Sequence, residues 1–141
     1  MVALRPKPPS HIQGLHAVGA RQLLITLIAN LGALITFILG CLGVMFPERV
    51  SRVLGIRPNG PLGVSELRAT YGGFFLCLGA GCLATQSDTV FMVAGSAWCG
   101  AAIARLMSVA ADKSRSRENI VGCIFEATIG LMMLSVILRF S

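Results

Sequence analysis

Charge is what this sequence has least of. Only 13% of its 141 residues are Asp, Glu, Lys or Arg, against a usual share of roughly 25%, while 55% are hydrophobic and mean hydropathy is +0.77. A water-soluble domain of this size must cover most of its surface with polar groups, and twelve basic and six acidic side chains cannot do that. The same composition excludes disorder and points to a bilayer. Aromatic residues are scarce as well, at 6% with one Trp and one Tyr, and no basic run carries stacking residues between its charges. A nucleic-acid partner is therefore not expected despite the net charge of +6, and anionic lipid headgroups are the better match for the basic balance.

Chemical motifs are also missing. The chain has no Walker loop, nucleophile elbow or His-Glu-x-x-His, and its five cysteines, Cys41, Cys77, Cys82, Cys99 and Cys123, form no Cys-x-x-Cys. All five fall in apolar stretches, where Cys reads as a small hydrophobe. His11 and His16 lack a third ligand, so no metal is expected. No nucleophile and base stand together, which leans against an enzyme, and no cofactor is implied.

What is present is a set of long apolar stretches, at about 22–46, 65–85, 89–111 and 119–138. Each is near the roughly 20 residues that carry a helix across the hydrocarbon core. The first has no charge, and it is too long and starts too late for a signal peptide, so it reads as a retained span. Open backbone is not tolerated in lipid, and the stretches lack the alternation of barrel strands. The expected fold is all-α, a membrane four-helix bundle spanning 22–141 behind a basic tail at 1–21 that includes Arg5, Lys7 and the Pro8-Pro9 pair. Between the first two spans, Pro47 opens a segment with Val50, Val53 and Leu54 on one face, which predicts a short interfacial helix. The stretch from Pro58 to Pro61 is expected to turn, Gln86-Ser87-Asp88 to make a tight hairpin, and Asp112 to Glu118 to lie in water.

Four spans put the two long loops on one side. That side carries Arg49, Arg52, Arg57, Lys113, Arg115 and Arg117, so the positive-inside rule places it in the cytoplasm, with the protein in the cell inner membrane. The remaining charges fall within the spans on the same side. Glu66 and Arg68 open span two. Arg105 lies about six residues before the end of span three and Glu126 about seven after the start of span four, so both are roughly 9–10 Å deep. Opposite charges at matching depth on consecutive antiparallel helices predict an ion pair, either as structural glue or as part of a polar pocket. Tyr71, one turn from Arg68, joins the cluster or anchors at the headgroups. Asn30 is expected to hydrogen-bond a neighbouring helix. Small residues mark close-packed helix faces: Gly32, Thr36 and Gly40 on span one, Gly72 and Gly73 on span two, Ala97 and Ala101 on span three, and Gly122 and Gly130 on span four.

The segment Arg68-Ala69-Thr70-Tyr71-Gly72-Gly73, the later Arg105-Leu106-Met107-Ser108, and Glu126 resemble a bacterial tetraspan family of unknown function, similar in general form to DoxX-like small membrane proteins. The resemblance implies four helices and brings no reaction or cofactor. Glutathione-using four-helix membrane enzymes are of similar length and charge, but their arginine-asparagine-glutamate pattern on span two is not found here. Three functional readings follow. The first is a non-catalytic membrane protein whose Glu66, Arg68, Tyr71, Arg105 and Glu126 cluster holds the bundle and binds a lipid or other amphipathic small molecule. The second is a small proton-linked transporter titrating at Glu126. The third is an accessory subunit, or a homo-oligomer, associating through its small-residue stripes.

Overall fold

A computed structural model describes residues 10–140, with side chains from Val18 onward. Arg5, Lys7, the Pro8-Pro9 pair and the side chains of His11 and His16 lie outside the described residues. The elements in order are α1 (Ser10–Met45), α2 (Pro47–Leu54), α3 (Gly60–Leu67), a π-helical segment (Arg68–Phe74), α4 (Phe75–Thr85), α5 (Asp88–Ala111), α6 (Arg117–Leu134) and a terminal 3-10 turn (Ser135–Arg139). Among the described residues there is no strand. Four stretches are long and apolar enough to cross a membrane: Val18–Met45, Gly60–Thr85, Asp88–Ala111 and Arg117–Arg139. The backbone at 10–21, expected as tail, is helical and runs without a break into the first span.

Local chemistry sets where these helices stop. Met45 ends α1 and Phe46 leaves helical geometry at φ −132°, after which Pro47 takes the first turn of α2, where a missing N–H costs nothing. Gly55, at φ 69°, closes α2 in the left-handed conformation that suits glycine. The turn expected at Pro58 to Pro61 is displaced toward the N-terminus, because Gly60 and Pro61 already form the first turn of α3. Span two thus begins five residues before the expected Ser65. Within it, the Arg68–Phe74 segment adopts the wider π turn. This turn coincides with the Gly72-Gly73 pair, whose α preference is among the weakest, and with α1 pressing its Gly43 against the Tyr71 carbonyl. Gln86 ends α4 in the left-handed region, and Ser116 caps α6 by accepting from the Asn119 amide at 3.2 Å.

The helices pack through their smallest residues. Gly40 and Gly79 bring α1 and α4 into backbone contact, at Leu76 and Phe37 respectively. Gly32 faces Met133 of α6, and Gly95 of α5 meets Gly130 of α6. Helix α1 therefore lies against both span two and span four, while α5 leans mainly on α6. The buried core is formed by Ala29, Ala33, Cys82, Phe91, Ala94, Trp98, Ile129, Met133 and Val136. Trp98 donates its indole N–H to the Thr36 hydroxyl at 3.0 Å, and that hydroxyl donates in turn to the Gly32 carbonyl at 2.9 Å, so both polar groups are satisfied inside the core. Large apolar side chains cover the outside, among them Leu27, Leu31, Ile103, Ile124 and Leu131. Such a surface is untenable in water and matches lipid.

Candidate functional site

Both long connections and the membrane-depth charges gather at one end of the bundle. There the Arg105 guanidinium lies across α6. Its Nε donates to Glu126 Oε1 at 2.8 Å and its Nη1 to Asn119 Oδ1 at 3.2 Å. Gly122 makes this possible, since a Cβ there would stand 3.0 Å from Arg105 Cζ. Asn119 is itself held by donating to the Ser114 carbonyl at 3.0 Å. The Arg105 side chain is 29% exposed and that of Glu126 13%, and the second carboxylate oxygen, Oε2, is buried with no hydrogen-bond partner. The pair fastens α5 to α6 close to the loop that joins them.

The other charged candidates do not join that pair. Glu66 and Arg68 are two residues apart, and they border separate clefts on different sides of α3. The first cleft, of about 290 Å³, has Glu66, Thr70 and Tyr71 on span two facing Arg57 and Asn59 of the preceding loop. The Tyr71 ring sits edge-on to Phe75, with 5.9 Å between centroids. The second cleft, of about 240 Å³, lies between α2 and span two and brings Arg68 together with Arg49 and Arg52, beside Glu48, Phe46 and Val64. Arg49 also stands 4.9 Å over the Phe46 ring, which holds its guanidinium at the cleft by a cation–π contact. Among the described residues none of these three arginines forms a salt bridge. Planar guanidinium forks in such an array suit a phosphate or carboxylate oxygen set.

The small residues divide in the same plain way. Gly32, Thr36, Gly40, Gly72 and Gly130 are buried at helix contacts, Gly72 against Val44 and Gly130 against Cys99. Gly73 meets only the Arg68 carbonyl of its own helix, at 3.9 Å for an added Cβ. Ala101 is half-buried and Ala97 exposed; the face of α5 turned inward is Phe91, Ala94, Gly95, Trp98 and Ala102.

Sequence reasoning did not find Arg49 and Arg52 as partners of Arg68. Their i, i+3 spacing on a short amphipathic helix was the available signal. At the opposite end the bond expected from Asn30 to a neighbouring span is present, within a polar clasp whose Arg139–Asp88 pair sequence reasoning missed. There Asn30 and Gln86 exchange amide hydrogen bonds at 3.0 and 2.7 Å, while Arg139 pairs with Asp88 and donates to the Thr26 hydroxyl at 2.7 Å. The clasp ties the hairpin to the first and last spans.

Four antiparallel apolar helices, with charged groups gathered toward the two ends and apolar residues over the flanks, define a multi-pass membrane protein. Residues 24–137 match the family model described as "Domain of unknown function (DUF4345)", and the chain belongs to that family. No curated protein and no solved structure matches it.

Proposed function

We propose that this protein is a non-catalytic inner-membrane protein that holds an anionic amphiphile, such as a phosphate-bearing lipid headgroup, at its long-loop end. The observation that carries this reading is the convergence of Arg49, Arg52 and Arg68 on one cleft with a single carboxylate, Glu48, at its border. A headgroup phosphate there gains charge-assisted hydrogen bonds at the depth where acyl chains begin. Exposed Met45 and Phe46 at the cleft, together with Phe74 on span two, offer the chains an apolar path. Native mass spectrometry with phosphatidylglycerol tests the proposal. The wild-type protein is expected to retain the lipid, and changing Arg49, Arg52 and Arg68 together to Gln is expected to weaken retention by about a thousandfold, on the order of tenfold for each strong contact. Unchanged retention in the triple variant refutes it.

A second reading, a proton-linked carrier at Glu126, draws on the buried and unpartnered Oε2. A proton there would remove the buried charge on that oxygen while Oε1 kept its bond to Arg105. Against a conduit, Ala33, Trp98, Ile129 and Met133 fill the layer between Glu126 and the far clasp. Infrared spectroscopy separates the two readings: a protonated-carboxyl band that vanishes in Glu126→Gln supports the carrier.

A further inference from the structure

The cleft on the other side of α3 has a charge pattern of its own. Glu66 and Arg57 both line it, one on the helix and one on the loop, and among the described residues neither forms a salt bridge with the other or with any third group. Both side chains are exposed, so each presents a full, hydrated charge at the mouth. The Thr70 hydroxyl, the Asn59 amide and the Tyr71 phenol add neutral donors and acceptors, and Leu67 supplies a buried apolar floor. One anion and one cation facing the same cleft favour neither a simple anion nor a simple cation, because either ligand would be repelled by one wall. They favour a ligand that carries both charges a few bonds apart.

We propose that this cleft binds a zwitterionic aminophospholipid headgroup, with the phosphate on Arg57 and the primary ammonium on Glu66. The cleft's place at the membrane edge supplies the lipid from the bilayer itself, and the Tyr71 and Thr70 hydroxyls are placed to accept from the remaining ammonium N–H groups. The proposal is independent of the arginine cleft, since it uses none of Arg49, Arg52 or Arg68.

Native mass spectrometry of the detergent-purified full chain tests it with dioleoyl phosphatidylethanolamine, phosphatidylcholine and phosphatidylglycerol. Phosphatidylethanolamine is expected to be retained, and Glu66→Gln and Arg57→Gln are each expected to weaken retention by about tenfold, with Glu66→Asp recovering part of it. Phosphatidylcholine has the same charges but no ammonium N–H to donate, and is expected to be retained about tenfold less. Phosphatidylglycerol retention in Glu66→Gln serves as the check on folding and is expected to match wild type. If phosphatidylglycerol binds nowhere but the Glu66-dependent phosphatidylethanolamine signal persists, the arginine cleft is wrong and this proposal stands. Equal retention of phosphatidylethanolamine and phosphatidylcholine, or wild-type retention in both Glu66→Gln and Arg57→Gln, overturns it. Displacement of the lipid by an equal concentration of soluble O-phosphoethanolamine also overturns the lipid assignment, because it makes the acyl chains irrelevant and the cleft a site for a free solute.

Discussion

At the scale of single residues, the Arg105–Glu126 pair carries the clearest energetic consequence. Each partner is costly alone in an apolar setting, and Arg105 is further held by Asn119 and by the space that Gly122 leaves for its guanidinium. Removing one partner leaves the other uncompensated. Arg105→Met or Glu126→Gln is therefore expected to destabilise the bundle by about 1–3 kcal/mol, less than for a fully buried pair because the Arg105 side chain is still 29% exposed. The double variant is expected to lose less than the sum of the two, since it removes both charges together. A double-mutant cycle on unfolding in mixed detergent micelles measures this coupling. Additive losses would mean that the two side chains do not stabilise each other. The orphan Oε2 adds a second consequence: Glu126→Gln can place an amide N–H2 where no acceptor now stands, so its cost includes an unpaired buried donor as well as the lost charge attraction.

At the scale of elements, the spans are joined where glycine lets backbones touch. A methyl added at Gly40 runs into the Leu76 backbone, and one at Gly79 into that of Phe37, and backbone cannot step aside as a flexible side chain can. Gly40→Ala and Gly79→Ala are each expected to cost about 1–3 kcal/mol and to loosen α1 from α4. Gly100→Ala is the control: nothing lies within 4 Å of its added Cβ, so it is expected to be neutral or slightly stabilising, in keeping with the better helix preference of Ala. Thermal unfolding of the three variants in one detergent ranks them. The same elements explain what could be read in advance. The existence of four spans follows from apolar length alone, which needs no tertiary knowledge. The early start of α3 was hidden because a Gly-Pro pair reads equally well as a turn or as a first helical turn. The inward face of α5 was hidden because alanine recurs all round that helix, so small size does not mark one side. Counting outward from the shared loop gives the depth of Arg105 and Glu126. Whether Glu66 and Arg68 reach that pair depends on which side of α3 each occupies, and the meeting of Arg49 and Arg52 with Arg68 depends on how α2 folds back on span two.

At the scale of the whole molecule, charge is sorted between the two ends. Taking Arg68, Arg105, Glu66 and Glu126 from the twelve basic and six acidic residues leaves ten basic and four acidic for the tail, loops and helix ends. The long-loop end holds six of those basic residues, Arg49, Arg52, Arg57, Lys113, Arg115 and Arg117. The hairpin end carries the exposed Arg21 but folds Arg139 inward, where it is paired with Asp88 and bonded to Thr26. A basic loop resists export, whereas a paired and half-buried arginine presents little free charge to the translocating side. The orientation we propose on this ground has long loops in the cytoplasm and the arginine cleft facing the anionic cytoplasmic leaflet. The native cysteines all lie within helices, so a thiol introduced into a loop is the most accessible one to a membrane-impermeant maleimide. Ser114→Cys is expected to react in inside-out vesicles and not in right-side-out vesicles, and Ser87→Cys, in the hairpin, is expected to do the reverse. Reaction of both from one side would contradict an antiparallel four-span path. An exchange of the two patterns would keep the path but turn the molecule over, placing the arginine cleft in the opposite leaflet and removing the electrostatic argument for its ligand.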